Sequence, residues 1–154
     1  MKQENAGDLV MFQGEYTNNM DDKGRINIPA AYREVLQNRY NEQTFIVARD
    51  AQSPCLRAYP LQEWKRLLAK LGTRPSGDRV VLAFKRAVVS SAQAYAPDKQ
   101  GRVLIPQSLR NHAGLQKHTL FAGSADTFEI WDASAWETQL ASSLALLQHQ
   151  DLDF

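Results

Sequence analysis

The sequence predicts an α+β protein in which two copies of one small unit, related by a pseudo-two-fold axis within the chain, interleave into a single closed β-barrel with short helices around it. Three observations lead to this prediction. A 13-residue segment occurs twice, offset by 77 residues, in a chain of 154. In each copy a glycine lies in a turn that precedes a short apolar stretch, and a proline ends that stretch. Closure is expected because an open sheet would leave strand edges exposed.

The repeat is the strongest of these observations. Its first copy is DDKGRINIPAAYR (residues 21–33), and its second copy is DKQGRVLIPQSLR (residues 98–110). Six of the 13 positions are identical, whereas unrelated segments of average composition share about one. Apolar stretches follow in the same order in both halves, and each half then has a tryptophan, Trp64 or Trp136. The chain is therefore a duplication of one unit.

Each unit is predicted to begin with a β-hairpin. Asp21 and Asp98 suit the start of the loop because a carboxylate can accept backbone N–H bonds within a turn. Gly24 and Gly101 occupy positions at which a short hairpin loop commonly requires a positive φ. The expected strands are residues 11–20, 25–28, 88–96 and 102–105.

A helix is expected after each hairpin because Pro29 and Pro106 end the second strands. The residue before a proline favours extended conformations, while the proline itself fits the first turn of a helix. These helices are predicted over residues 29–40 and 106–112, and Gly114 is expected to end the second one.

Two further strands and an amphipathic helix complete each unit. The strands are predicted at residues 44–48, 55–59, 119–122 and 127–131. One helical face carries Trp64, Leu67, Leu68 and Leu71, and the equivalent face carries Trp136, Leu140, Leu144 and Leu147. Such stripes are typical of core packing or subunit contact. The predicted organisation is an N-terminal extension (1–10), a first repeat (11–72), a linker with a connecting helix over residues 76–86 (73–87) and a second repeat (88–154).

Composition limits the possible functions without selecting one. The formal net charge is +1, with +2 in residues 1–77 and −1 in residues 78–154, so a nucleic-acid binder would have to gather its positive charge by folding or oligomerisation. The only cysteine, Cys55, cannot form an intrachain disulfide and is expected to be buried. No apolar run approaches the length of a membrane span and the N-terminus lacks a signal-peptide pattern, so a cytoplasmic protein is expected.

The motifs resemble those of the MraZ family of bacterial transcriptional regulators, which control the cell division and cell wall gene cluster. The resemblance is carried by Gly14-Glu-Tyr, by Asp21-x-Lys-Gly-Arg with Ile28-Pro-Ala-x-x-Arg, and by Asp98-x-x-Gly-Arg-x-x-Ile-Pro. The second copy also resembles the DNA-binding domain of the AbrB and SpoVT regulators. The resemblance covers residues 11–144, and the Met11-Phe12 pair matches the usual start of family members.

The resemblance implies a duplicated swapped-hairpin, double-psi-like β-barrel. It also implies a ring-shaped homo-oligomer that binds double-stranded promoter DNA containing short direct repeats, represses the division and cell wall cluster promoter, and associates with the nucleoid. No cofactor, metal, membrane or small-molecule substrate is implied, and no catalytic residue is expected.

DNA contact is expected from the two loops. Arg25 and Arg102 are the principal candidates, because arginine can form two parallel hydrogen bonds with guanine and can also bind phosphate. From spacing alone, an ion pair with Asp21 or Asp98 that holds the turn is an equal alternative; the resemblance favours DNA. Residues of two further kinds complete the expected site: loop-tip lysines for DNA (Lys23 and Lys99) and residues that shape the loops (Asp21, Asp98, Gly24 and Gly101).

Two other functions fit parts of the pattern. Asp21 and Asp98 would form an acid–base dyad if duplicated units brought them to one centre, but each is followed by Gly-Arg rather than by a small hydroxyl residue. An antidote protein of a toxin pair would share the hairpin, but such proteins usually have one copy and a long disordered tail. The expectation is therefore a DNA-binding regulator and not an enzyme.

Overall fold

A computed structural model describes residues 11–154; the predicted N-terminal extension, residues 1–10, lies outside the described residues. The described chain contains eight strands and five α-helices. In chain order these are β1 (Glu15–Asn19), β2 (Arg25–Asn27), α1 (Ala30–Val35), β3 (Phe45–Arg49), β4 (Leu56–Pro60), α2 (Leu61–Gly72), α3 (Arg79–Ala87), β5 (Gln93–Tyr95), β6 (Arg102–Leu104), α4 (Gln107–Ala113), β7 (His118–Ser124), β8 (Thr127–Asp132) and α5 (Ala133–Gln148).

The strands of the two repeats interleave in an α+β fold of antiparallel sheets. One sheet has the order β1-β7-β8-β4-β3-β5, and β2 pairs with β6 in a second sheet of two strands. β1 of the first repeat pairs with β7 of the second, and β5 of the second pairs with β3 of the first. Exchanging the repeats reverses the order of the six-stranded sheet and leaves it otherwise unchanged. This pairing confirms that the two repeats interleave. The two strands of each predicted hairpin, however, pair with strands of the other repeat and not with each other, because β1 lies against β7 and β2 against β6.

The first strand of each repeat is shorter than predicted. In the first repeat Gly14, with a φ of +92°, interrupts the extended chain before β1. In the second repeat Val88 caps α3, and residues Val89–Ser91 form a 3₁₀ turn, where a strand over 88–96 was expected. Val88 is fully buried, and its apolar character therefore reflects a helix end packed in the core.

The helices that follow the prolines form where they were predicted. Pro29 and Pro106 occupy the N-cap positions of α1 and α4. The first helix continues as a π-helical turn, Leu36–Tyr40, which ends at the left-handed residue Asn41. The second ends at Gly114, whose φ is +60°. Both endings use the left-handed conformation that glycine and asparagine adopt most readily. The connecting helix starts later than predicted, at Arg79, because the Asp78 side chain caps it by accepting from the amides of Val80 and Val81.

The main hydrophobic core contains residues of both repeats. The Tyr32 ring packs at 5.5 Å from the Phe12 ring and at 4.8 Å from the Phe128 ring, and Phe45 lies 5.8 Å from Phe128. Tyr32 is buried, and its hydroxyl donates to the Gly14 carbonyl at 2.7 Å. Because aromatic residues from both repeats share this cluster, neither repeat buries its apolar residues alone.

The two amphipathic helices differ in how much of their apolar face is covered. Trp64 of α2 is buried against Tyr59 and Val88. Trp136 of α5 packs on Trp131 at 5.7 Å, yet no residue of α5 is buried within the described part of the chain. In the predicted stripe Trp136 and Leu140 are therefore half-buried, while Leu144 and Leu147 are exposed. None of the helices described is both long and apolar enough to cross a membrane.

Candidate nucleic-acid interface

Each hairpin loop is organised by one aspartate. Asp21 Oδ1 accepts hydrogen bonds from the backbone N–H groups of Lys23 and Arg25, each at 2.9 Å. Asp98 Oδ1 accepts from the N–H groups of Gln100 and Arg102, also at 2.9 Å. In each case the N–H of the loop glycine donates to the aspartate's own carbonyl. The two loops therefore have the same backbone geometry.

The same aspartates pair with the arginines that follow the loops. Arg25 Nε donates to Asp21 Oδ2 at 2.6 Å, and Arg102 Nε donates to Asp98 Oδ2 at 3.2 Å. The side chains of Arg25 and Arg102 remain 41% and 36% exposed. Within the described residues, neither pair of Nη groups forms a hydrogen bond. The arginine is thus oriented by its Nε while the end of its guanidinium faces solvent.

Both carboxylates are stabilised in the ionised form. The backbone hydrogen bond from Arg25 is the largest cause that lowers the pKa of Asp21, to about 2, and the Arg25 guanidinium adds to it. The backbone hydrogen bond from Arg102 likewise lowers the pKa of Asp98. Each loop therefore has a fixed negative charge beside its arginine at neutral pH.

The loop glycines lie directly against an arginine of the other repeat. Gly24 has a φ of +90°, and a Cβ there would lie 2.6 Å from the Ile105 carbonyl oxygen and 2.8 Å from Arg110 Nε. Gly101 has a φ of +81°, and a Cβ there would lie 2.9 Å from Arg33 Cζ. The conformation and the close approach both require glycine.

Arg33 and Arg110 thereby connect each helix to the opposite loop. Arg33 Nε donates to the Ile28 carbonyl at 3.2 Å, and Arg110 Nε donates to the Ile105 carbonyl at 2.9 Å. The Ile28 and Ile105 amides donate to the carbonyls of Gly101 and Gly24. Arg33 and Arg110 occupy the last identical position of the repeat. Their identity in both copies was the available signal, but the loop they contact depends on the exchange of hairpins.

The loop tips are not equivalent in charge. The first loop contains Asp22 and Lys23 where the second contains Lys99 and Gln100. Counting the Asp and Arg that both loops share, residues 21–25 carry two negative and two positive charges, and residues 98–102 carry one negative and two positive. Lys23 and Lys99 are both exposed, but they occupy different positions along their loops.

Strands β2 and β6 join the two loops in a short antiparallel ribbon. Arg25 lies opposite Leu104, Ile26 opposite Val103, and Asn27 opposite Arg102. Ile26 and Val103 are buried, so the other four side chains lie on the outer face. The loops leave from opposite ends of this ribbon. Asp21 and Asp98 therefore do not form the acid–base dyad considered above; each is paired with its own arginine.

A partly buried ion-pair cluster lies where β4 meets β8, next to the end of β3. Arg57 pairs with Asp50 at 2.8 Å and with Glu129 at 2.7 Å, and it also donates to the Thr127 hydroxyl. Cys55, which is buried as predicted, lies 3.8 Å from Glu129. Burial is the main cause that raises the pKa of its thiol. The Arg57 guanidinium bridges the two carboxylates, which leaves the cluster a formal charge of −1, and the cluster connects the two repeats where β4 pairs with β8.

Comparison with known proteins agrees with the duplication. A family model described as "MraZ protein, putative antitoxin-like" matches residues 11–86 and again 88–152. The chain is 43% identical over 142 residues to the Transcriptional regulator MraZ of Shewanella denitrificans, covering 92% of this chain and 93% of that protein. The corresponding protein of Shewanella frigidimarina is 42% identical over 142 residues, which are again 92% of this chain and 93% of that protein. That of Acetivibrio thermocellus is 44% identical over 128 residues, which are 83% of this chain and 85% of that one.

These matches cover both repeats. The protein is therefore a transcriptional regulator, a class whose activity implies DNA binding, and it is not an enzyme. The chain belongs to the MraZ family, which confirms the resemblance noted from the two Asp-x-x-Gly-Arg motifs.

Proposed function

We propose that the chain is a sequence-specific DNA-binding repressor of the division and cell wall cluster promoter, and that its two arginine loops contact short direct repeats there. The observation that supports this most is the matched pair of exposed guanidinium groups, Arg25 and Arg102, on one short ribbon. A protein with a net charge of +1 has little long-range attraction for DNA. Local presentation of arginine is the means by which it gathers positive charge.

The ion pair with aspartate is part of this proposal. Asp21 and Asp98 engage Nε, which leaves the end of each guanidinium, formed by the two Nη groups, available to another partner. Two Nη groups in a fixed plane suit the N7 and O6 acceptors of guanine or two phosphate oxygens. Lys23 and Lys99 add phosphate contacts at the loop tips. The ion pair and the DNA contact are then compatible, and the aspartate fixes the direction of the arginine.

We also propose that the two sheets form one closed double-psi-like barrel. The Asn18 side chain of β1 donates to the Asn27 carbonyl of β2 at 2.7 Å, which connects the six-stranded sheet to the ribbon. Closure would protect the edges of β1 and β5 from pairing with other chains.

Self-association into a ring completes the proposal. Leu144, Leu146 and Leu147 of α5 are 52%, 64% and 48% exposed, and exposed apolar residues that lie together mark interaction sites. A contact between unlike surfaces of successive subunits closes into a ring when the rotation permits. Many loops then face the duplex at once, which raises affinity by multivalency. A regulator acting on chromosomal DNA would lie in the cytoplasm, associated with the nucleoid.

The DNA contact is tested by fluorescence anisotropy with duplex DNA from upstream of the protein's own gene, at two salt concentrations. Affinity should fall steeply with salt because phosphate contacts release counterions. Arg25→Ala and Arg102→Ala should each lower affinity about tenfold or more. Arg86→Ala, which removes an exposed arginine from α3, is the matched control and should bind like wild type. Equal binding by wild type and both loop variants would contradict the site.

Self-association is tested by light scattering. We expect wild type to have the mass of a closed oligomer and the double variant Leu144→Ser/Leu147→Ser to have a smaller one. Ser142→Ala, on the same helix, should leave the mass unchanged. A monomeric wild type would rule out the ring.

A further inference from the structure

The outer face of the β2–β6 ribbon contains an exposed leucine between charged and polar residues. Leu104 is 50% exposed, while its chain neighbours Val103 and Ile105 are 5% and 0% exposed. Those two neighbours already supply this part of the core. Leu104 lies opposite Arg25 in the ribbon register, and Asn27 lies opposite Arg102. The core therefore gives no reason for an apolar side chain at position 104.

The position that corresponds to Leu104 in the first repeat is Asn27. Both are the third residue of their strand, two residues after the loop arginine. Asn27 is also exposed, and its carbonyl is fixed by the hydrogen bond from Asn18. The ribbon face is thus a patch of four side chains. Arg25 and Arg102 occupy two diagonal corners of this patch, and Asn27 and Leu104 occupy the other two, which therefore differ in chemistry.

We propose that this four-residue patch contacts base edges in the DNA major groove, with Leu104 packing against a thymine methyl group and Asn27 hydrogen-bonding an adenine. This inference rests on the proposed function, because it requires DNA to lie against the arginine loops. It adds that the two halves of the ribbon select different bases.

The chemistry of the grooves decides which groove is contacted. Thymine exposes its C5 methyl only in the major groove, and an asparagine amide matches the N6 and N7 groups of adenine there. A two-stranded ribbon fits the major groove, which is about 12 Å wide, but not the minor groove of about 6 Å. Three residues of strand extend about 10 Å, which is about three base pairs of B-DNA. One ribbon therefore covers a short site, in keeping with recognition of short repeats by several subunits.

The arginines fix the position of this patch. Arg25 and Arg102 bind guanine or phosphate at opposite corners, and both guanidinium groups are oriented by their own aspartates. Leu104 lies directly across from Arg25, so a base contacted by one is adjacent to a base contacted by the other. An alternative role for Leu104 is contact with a second copy of the chain, and the experiment separates the two.

The test removes the methyl from DNA and the leucine from protein in one double-mutant cycle. Anisotropy titrations compare the upstream duplex with the same duplex in which dU replaces dT. Wild type should lose about fourfold in affinity for each methyl contacted. Leu104→Ala should lose a similar factor on dT DNA but should no longer distinguish dT from dU. Leu82→Ala removes a leucine that is 44% exposed on α3 and should discriminate like wild type.

The adenine contact is tested in the same way with purine, which lacks the N6 amino group, in place of adenine. Purine keeps the N7 acceptor, so wild type should lose only the N6 hydrogen bond, about fivefold in affinity. Asn27→Ala should bind the two duplexes equally.

A conservative variant completes the thymine test. Leu104→Thr retains a methyl group on a residue that favours strands, and it should keep part of the preference for dT over dU.

The possible failures are distinguishable. If wild type binds neither duplex better than unrelated DNA, the proposed function fails and this inference fails with it. If wild type binds and Arg25→Ala does not, but the dU effect is the same in wild type and Leu104→Ala, only this inference is overturned. A lower oligomer mass for Leu104→Ala with unchanged dT preference would assign Leu104 to a subunit contact instead, which also overturns it.

Discussion

The two loops of this protein share one backbone and differ in their exposed side chains. Asp21 and Asp98 make the same pair of 2.9 Å backbone hydrogen bonds. The arginine pair is shorter in the first loop, 2.6 Å against 3.2 Å, and the second loop carries one more net positive charge. The duplication has therefore kept the geometry of the loop while its surface chemistry has diverged.

The six identical positions of the repeat correspond to this shared geometry. The aspartate accepts the turn amides, the glycine admits the opposite arginine, and the proline caps the helix. The isoleucine is buried at both sites, with 1% and 0% exposure. The positions that differ include the loop tips and the outer ribbon positions 27 and 104. Most of the identical positions thus build the fold, and Arg25 and Arg102 are the DNA contacts that both halves are proposed to share. The exposed positions that differ are the ones at which the two halves can recognise different DNA.

The largest expected effect comes from replacing the loop glycines by alanine, and its size should differ between the two loops. Gly24→Ala should destabilise the protein by about 3 kcal/mol, because the positive φ is strained and the new Cβ meets a backbone carbonyl that cannot move freely. Gly101→Ala should cost less, about 1–2 kcal/mol, because the atoms nearest its Cβ belong to the side chain of Arg33, which can move. Chemical denaturation measures both values.

Gly77→Ala provides the control for this comparison. Its Cβ would meet nothing within 4 Å, so the free energy of unfolding should change by less than about 0.5 kcal/mol. If Gly24→Ala and Gly101→Ala lower the free energy of unfolding equally, it makes no difference whether the new Cβ meets a backbone atom or a side chain, and the predicted difference between the loops is wrong.

The next effect tests the crossed contacts between repeats. Arg110→Lys should remove the Nε bond to Ile105 and cost about 1 kcal/mol. Its largest amide chemical-shift changes outside its own helix should be at Gly24, in the other repeat. Arg33→Lys should instead perturb Gly101. Amide spectra of the two variants check the pattern, and shifts confined to the loop of the same repeat would contradict the interleaved packing.

Much of this arrangement could be predicted from the sequence. The contacts that could not be predicted depend on tertiary packing, which a local sequence pattern does not specify. The duplication, the loops that begin at Asp21 and Asp98, the helices that follow the prolines and the interleaving of the repeats were predictable from the sequence. The pairing within each hairpin was predicted wrongly, because each strand pairs with the other repeat. The crossed contacts of Arg33 and Arg110 were not, because a sequence pattern does not specify which loop lies behind a helix. At Val88 a local pattern was misleading. The apolar run there predicted a strand, but tertiary packing places Val88 at the end of a helix. The ion pairs within the loops were left open by spacing alone, and the structure shows that they form.

A smaller effect is expected from exchanging the loop-tip charges. Lys23→Gln should reduce the slope of log affinity against log salt by about 0.9 if this lysine neutralises one phosphate. Gln100→Lys, at the equivalent position of the second loop, should increase the slope by about the same amount. Lys117→Gln, outside the loops, controls for a general loss of charge. Slopes unchanged in both loop variants would show that the tips do not contact DNA.

The smallest effect is a difference in acid sensitivity between the loops. Both aspartates have a lower pKa in the folded chain than their ordinary 3.8, and that of Asp21 is about 2. A lowered pKa means that the ionised group stabilises the fold above pH 4 and that this contribution disappears as the pH falls from about 4 towards 2. Asp21→Asn should therefore make the melting temperature less dependent on pH in this range. Asp98→Asn should do so by a smaller amount, because the ion pair between Asp98 and Arg102 is longer.

Carboxyl carbon NMR titration of wild type measures the two pKa values directly and should place the midpoint of Asp21 below that of Asp98. The reverse order would show that the lengths of the two ion pairs, 2.6 Å and 3.2 Å, do not determine the order of the two pKa values in solution.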